Sequence, residues 1–314
     1  MRTRTLGTHG PVVPVVGLGC NNFGGRLDLA GTRAVVDAAI EAGVTVLDTA
    51  DMYGNRGGSE TLLGEVLQGR RDQVVLATKF GHHDADMGYG DLGPKGGRRY
   101  LRRALEESLR RLRTDHVDLY QLHMPDPETP IGETLAALDE VVKEGKVRYI
   151  GSSQFTGAQL AEAAAAAREL GLTAFVSAQN HWSLLERDVE DDVVPAAERE
   201  GVGMLPYFPL ANGLLTGKIR RATGVPEDSR LAGNPDYVTV DKLDRVEQLA
   251  GWADQHGRTL LEVAIAWLAG QPSIGSVIAG ATRPEQVRAN AAAGDWVMTP
   301  DELAEVDAIS RGAA

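Results

Sequence analysis

"VTVLDTADMYGN", residues 44–55, holds the pattern on which the fold turns. Val44 to Leu47 is apolar with little polar alternation, as in a strand buried on both faces. It stops at an acid, Asp48, and Tyr53 follows in a turn marked by Gly54 and Asn55. The construction recurs. "QVVLATKF" (73–80) carries Lys79 at its end, and "HVDLYQLH" (116–123) ends in His123. "VVGLGC" (15–20), "VRYIGSS" (147–153), "TAFVSAQ" (173–179), "VGMLPY" (202–207) and "GSVIAG" (275–280) complete a set of eight. Between them lies amphipathic helical sequence, near 30–42, 59–68, 98–113, 131–144, 157–170, 189–200 and 240–269. Ser59 reads as the N-cap of the second helix. Before the first strand, "RTRTLGTHGPVVPVV" (2–16) reads as a β-hairpin, and two helical stretches close the chain.

Strand–helix units repeated eight times imply parallel pairing through right-handed crossovers. Closing them gives an α/β fold, a (β/α)8 barrel with an N-terminal hairpin and C-terminal helices, as one domain over 1–314. The competing open, doubly wound sheet calls for a Gly-rich phosphate turn after the first strand. "GLGCNNFGG" (17–25) supplies two of the three glycines of G-x-G-x-x-G, but Asn22 stands at the third. Segments 81–97 and 223–237 are too long for ordinary connections and read as loops over a site.

The chain has 314 residues, with 32 Lys and Arg against 44 Asp and Glu, a net charge of −12. That argues against binding nucleic acid or an anionic membrane. The basic run "RRYLRRALEESLRRLR" (98–113) reads as the solvated face of a helix, because Leu101, Leu105, Leu109 and Leu112 form an apolar stripe. Cys20 is the single cysteine, so no intrachain disulfide can form, which fits a reducing compartment. The N-terminus lacks the apolar stretch of a signal peptide, and no run approaches the ~18 apolar residues of a membrane span. A cytoplasmic location is expected.

Barrel chemistry sits at the C-terminal ends of the strands. Those ends carry Asp48, with Tyr53 beyond it, then Lys79, His123, Ser152, Ser153, Gln154, Gln179, Asn180, Tyr207 and Gly280. Singly, each has an ordinary reading: a lysine capping a strand, a tyrosine packing in a turn, a histidine on a rim. Together they bring an acid, an amine, a phenol and an imidazole to one mouth. A free tyrosine has a pKa of ~10. A lysine cation beside it lowers that value, and an aspartate holds the lysine in place. Such a tyrosine can give a proton to a carbonyl oxygen as charge develops there, with the imidazole orienting it.

"DTADMYGN" (48–55), "ATKFG" (77–81) and "LYQLHMPD" (119–126) resemble the tetrad motifs of the aldo-keto reductases. "SLRRLRTDHVDLYQLH" (108–123), "GKVRYIGSSQF" (145–155), "PLANGLLTGK" (209–218) and "GATRPEQVRANAAA" (280–293) extend the resemblance over nearly the whole chain. It implies Tyr53 as general acid, Lys79 tuning it, Asp48 pairing with Lys79, and His123 orienting a small carbonyl substrate. It implies a nicotinamide dinucleotide, usually NADPH, held without a Rossmann fold. Gly19 and Cys20 fall on the cofactor side of the first strand end. Ser153, Gln154 and Gln179 would hold the carboxamide, and Tyr207 would stack on the nicotinamide. Leu210, Asn212, Gly213, Leu215, Gly217 and Lys218 would follow the pyrophosphate. Gly280, Thr282, Arg283, Gln286 and Asn290 would take the adenosine end, with Arg283 suited to a 2′-phosphate. "TRPEQ" also reads as a helix start capped by Thr282.

Gln154, Cys20, Phe208 and Asn212 depart from the family's common Asn, Thr, Ser, and Arg or Gly. Phe23, Met52, Met124, Trp182 and the two long loops are the expected pocket walls, with His82 and His83 at the mouth. "HHDAD" (82–86) offers ligand types without a completing spacing, and the resemblance implies no metal. The β subunits of voltage-gated potassium channels also resemble this family, so a cofactor-binding partner protein with little turnover is the alternative function. Related proteins include monomers and larger assemblies, so the resemblance assigns no oligomeric state.

Overall fold

The computed structural model describes residues 1–227 and 229–312. A hairpin opens it: β1 (Thr3–Thr5) pairs antiparallel with β2 (Val12–Pro14). Eight strands then form one parallel sheet: β3 (Val16–Gly19), β4 (Val46–Asp48), β5 (Val75–Phe80), β6 (Val117–Leu122), β7 (Val147–Ser153), β8 (Phe175–Gln179), β9 (Gly203–Met204) and β10 (Val277–Gly280). They lie in chain order, with β10 returning to pair with β3. Between β9 and β10 the ring is joined by single bonds, Gly275 N–H to the Met204 carbonyl at 2.9 Å and Ile278 N–H to the Pro206 carbonyl at 3.0 Å. The seventh strand is shorter than its sequence suggests, because Pro206 has no N–H to give to a ladder.

The connecting helices are α1 (Leu29–Glu41), α2 (Tyr53–Val66), α3 (Arg98–Leu112), α4 (Ile131–Lys143), α5 (Gly157–Leu170), α6 (Val193–Glu200), α7 (Val240–Gln255) and α8 (Leu260–Gly270). After β10 come α9 (Pro284–Asp295) and α10 (Pro300–Ser310). The leucine stripe of α3 points inward as expected: Leu101, Leu105 and Leu112 are buried. Its arginines ion-pair outward, Arg98 and Arg102 with Glu140.

The barrel interior is layered by the two-residue period of its strands. Val46, Ala77, Leu119, Val176 and Ile278 pack together at its lower levels, joined by Leu6 and Val13 from the hairpin. Two residues further along three of these strands stand Asp48, Lys79 and Gln121, with Lys79 opposite Gln121 in the register. An apolar plug thus gives way to a polar layer at the C-terminal end.

Ser59 does not cap α2. Residues 54–57 all adopt left-handed backbone, with φ from 59° to 95°, and they turn the chain before the regular helix begins. Ser59 is carried inward, where its hydroxyl donates to the Cys20 carbonyl at 2.9 Å and meets Thr49 Oγ1 at 2.8 Å. Gly54 is needed there, since a Cβ would meet the Ser59 nitrogen at 2.6 Å.

Candidate active site

A cleft of about 460 Å³ opens at the C-terminal end of the barrel. Asp48, Tyr53 and His123 line it, while Lys79 lies fully buried beneath. Lys79 Nζ donates to Asp48 Oδ2 at 2.7 Å and to the Thr49 carbonyl at 3.0 Å. It reaches Tyr53 Oη at 3.4 Å, and the ammonium lies 4.9 Å from the Tyr53 ring centre. The His123 ring meets Tyr53 edge-on at 5.8 Å. The four side chains that the sequence singles out therefore converge.

Gln121 belongs with them, a residue that the strand-end pattern does not single out. Its Nε2 donates to Asp48 Oδ1 at 3.1 Å, as does Gln179 Nε2. Both oxygens of Asp48 are thus engaged, which fixes the carboxylate under the lysine. The signal was available: Leu119, Gln121 and His123 alternate along one strand, so Gln121 shares the inward face with His123.

The electrostatics depart from the expectation in one respect. Burial works against the charge on Lys79, yet Asp48 and Tyr53 outweigh it and hold the ammonium above the usual lysine range. Tyr53, by contrast, sits above its usual value. Burial pushes the phenol up, and the pull of Lys79 only partly offsets this. The lysine acts in the expected direction but does not win in this cleft. Burial, with Lys79 and His82 assisting, drives His123 well below the usual histidine range, so its ring is neutral. The arrangement places a protonated phenol, a cation and a neutral imidazole around one opening, a set able to give a proton to an oxygen anion.

Of the expected cofactor residues, Gly19, Cys20, Ser153, Gln154, Gln179, Tyr207, Leu210, Asn212, Gly213, Gly280, Thr282 and Gln286 line the cleft. Tyr207 is backed by His181, their rings stacked at 5.2 Å and 14°. Ser153 Oγ donates to the Gln179 carbonyl, and Gln154 Nε2 to the His123 carbonyl. Phe208, Ala211, Asn212 and Gly213 all have positive φ, so the backbone curls around one edge of the cleft. Such runs form concavities suited to anions. Leu215, Gly217, Lys218, Arg283 and Asn290 do not line it; Leu215 is in the core, and Arg283 is exposed and paired with Glu285 at 2.7 Å. Thr282 is not the cap of α9. Arg283 holds that position, and the Gln286 side chain instead accepts from the Thr282 N–H at 2.7 Å.

The walls are also partly revised. Met52, His82 and Phe208 line the cleft. Phe23 and Trp182 are buried away from it, and the Trp182 N–H is held by Glu190 at 2.9 Å. His83 bonds the Pro125 carbonyl at the surface. The 81–97 loop is held from within by Lys95, which donates to the carbonyls of His82, His83 and Ala85 at 2.6–2.9 Å. Among the described residues no three His, Cys, Asp or Glu side chains are grouped to hold a metal, and no helix is long and apolar enough to cross a membrane.

The model of the Aldo/keto reductase family matches residues 15–311. The chain belongs to that family. An uncharacterized oxidoreductase of Bacillus subtilis, YrpG, is 38% identical over 290 residues, covering 90% of this chain and 88% of the relative. The L-glyceraldehyde 3-phosphate reductase of Escherichia coli is 33% identical, covering 98% of this chain and 92% of the relative. A probable voltage-gated potassium channel subunit beta of Arabidopsis thaliana is also 33% identical, covering 98% and 96%. This aldo/keto reductase is an oxidoreductase acting on carbonyl or alcohol groups, and its family uses nicotinamide cofactors.

Proposed function

We propose that the chain is an NADPH-dependent reductase of aldehydes or ketones, with Tyr53 as the proton donor. The observation that carries this is the Asp48–Lys79–Tyr53 line at the cleft floor, with His123 edge-on to the phenol. Bound nicotinamide supplies the hydride. Asp48, gripped by Gln121 and Gln179, holds Lys79 charged. Lys79 stabilises the phenolate left when Tyr53 gives its proton to the carbonyl oxygen. His123, neutral, orients that oxygen. Tyr207 offers a ring face for stacking, because His181 backs its other face. The curled 208–213 backbone suits the pyrophosphate, and Thr282 and Gln286 suit the adenosine end, with Arg283 turning from Glu285 to the 2′-phosphate. Leu215, Gly217, Lys218 and Asn290 lie outside the cleft, Leu215 and Asn290 buried and Gly217 and Lys218 exposed. We read the chain as one domain, in view of its continuous eight-stranded sheet, and as cytoplasmic, in keeping with its lone buried thiol.

The test is oxidation of NADPH and of NADH across a panel of aldehydes and ketones, phosphorylated short-chain aldehydes included. Steady oxidation, faster at low cofactor concentration with NADPH, supports the reading. The likeness to a channel subunit beta gives the second reading, a cofactor-binding partner protein. Tight NADPH binding without oxidation by any carbonyl would favour it.

A further inference from the structure

Asp51 lies between Asp48 and Tyr53, in the loop that joins the acid to the phenol, and the proposed reaction makes no use of it. It does not line the cleft. It is 1% exposed, and neither buried carboxyl oxygen makes a hydrogen bond of good geometry, although the Met52 N–H lies near enough to favour the charged form. Its backbone is tied to the catalytic lysine, since Asp51 N–H donates to the Lys79 carbonyl at 3.0 Å.

The charges around it do not balance a carboxylate. From α3 comes Arg111, but its Nε is committed to Glu60 Oε2 at 2.7 Å, and its Nη2 to Tyr89 Oη and Ser108 Oγ, each at 3.4 Å. A Cβ on Gly57 would overlap that guanidinium, so the left-handed turn is built to admit it. Glu60, from α2, also accepts from Thr78 Oγ1 at 2.5 Å. Lys95, on the 81–97 loop, spends its ammonium on three carbonyls. The remaining neighbours, Tyr89, Tyr100 and Tyr120, are neutral phenols, and Tyr100 Oη is itself buried without a partner. Glu60 thus holds that guanidinium at 2.7 Å, and Arg111 Nη1 lies 4.0 Å from Glu107 Oε2, so the arginine's charge is already shared before Asp51 is reached. A charge on Asp51 would be buried and uncompensated, a state that a carboxyl avoids by keeping its proton.

We propose that Asp51 is a positioning residue for Tyr53: as a neutral carboxyl it lets the 49–57 loop pack in its active form, and its ionisation withdraws the phenol from Lys79. This rests on the reading of Tyr53 as proton donor. Burial, and after it the charge of Glu60, push Asp51 up to about 8, with Arg111, the Met52 N–H and Lys95 opposing in that order. Ionisation therefore begins just above neutral pH. The Lys79–Tyr53 contact, at 3.4 Å, is already long, and Tyr53 is two residues away, so a small loop shift breaks it.

Asp51→Asn tests this, because the amide is neutral at every pH. The turnover profile, at saturating NADPH and carbonyl, should fall in the wild type with an inflection near 8. In the variant that limb should move up by about one pH unit or more, toward the titration of the tetrad itself. Unfolding supplies a second readout. The folded chain holds the Asp51 proton up to about 8. The unfolded chain releases it near the ordinary carboxylate value of ~3.9. The stability linked to that proton is full below the unfolded value and lost as pH rises to the folded one. The melting temperature of the variant should therefore gain on the wild type across that window and then stay level. Should the amide not fold, Asp51→Ser provides another neutral residue. Superimposable turnover profiles overturn the positioning role while leaving the reductase reading intact. Parallel melting curves against pH overturn the neutral carboxyl. A wild type that binds NADPH but turns over no carbonyl overturns the reductase reading, and the positioning role with it.

Discussion

Two buried acid–cation pairs lie on neighbouring elements of this barrel, and they differ in what surrounds them. Asp48 and Lys79 meet at 2.7 Å, as do Glu60 and Arg111. Each removes two charges from water, at a cost that geometry and further hydrogen bonds must offset. At Asp48 the offset comes from Gln121 and Gln179, and the lysine keeps one contact in reserve, toward Tyr53 at the edge of the cleft. At Glu60 it comes from Thr78, while the guanidinium turns Nη2 to Tyr89 and Ser108 and Nη1 toward Glu107, 4.0 Å away. The bond is the same. In the proposed reaction the first pair is chemical and the second architectural, because only the first cation meets a titratable group that lines the cleft.

Breaking each cation separates the two roles. Lys79→Met leaves Asp48 buried and unpaired, and should lower stability by roughly 3–5 kcal/mol. It should also lower turnover by about 10²–10⁴-fold, since the phenolate loses the cation beside it. Arg111→Met should cost a similar amount of stability, with turnover per folded molecule falling by less than about tenfold. Denaturant titration and steady-state kinetics on both variants check this. Equal losses of turnover would erase the distinction. Gln121→Leu probes the support of the first pair. Losing one hydrogen bond to a charged group should cost about 1.5–3 kcal/mol, and part of it should appear as lower turnover because Asp48 loosens. A stability loss with unchanged kinetics would make Gln121 merely structural. Ser59→Ala, behind both pairs, should cost about 1 kcal/mol and leave turnover unaltered. A loss confined to helix content at α2 would restore Ser59 to the role of a cap. Outside the comparison, Arg283→Ala should weaken NADPH by about tenfold and NADH hardly at all, as read by titration of cofactor fluorescence.

The fold was legible because parallel strands buried on both faces write themselves as continuous Val/Ile/Leu runs, and because eight of them alternate with helical sequence. The tetrad was legible for the same reason: a barrel gathers its strand ends, so Asp48, Lys79 and His123 needed no pairwise contact to be read together. What failed depended on backbone turns and long-range neighbours. Ser59 looked like a cap until four left-handed residues redirected it toward Cys20. Trp182 looked like a pocket wall because it follows a strand end, but its N–H found Glu190 and its ring packs against Trp267. Lys79 was expected to bring Tyr53 below its usual value, and the burial that outweighs it is a property of the packed cleft. Asp51 stands in the same motif as Asp48 and Tyr53, but its isolation depends on Arg111 being held by Glu60. No spacing along the chain shows that.

The most direct test of the central claim is turnover of Tyr53→Phe beside the wild type, on the best carbonyl of the panel, with NADPH affinity measured on both. The account predicts a loss of about 10²-fold or more in turnover with NADPH affinity nearly unchanged, since the change removes a proton donor and leaves the cleft intact. A variant that keeps most of its turnover would contradict Tyr53 as the donor, and the Asp48–Lys79 line would need another purpose.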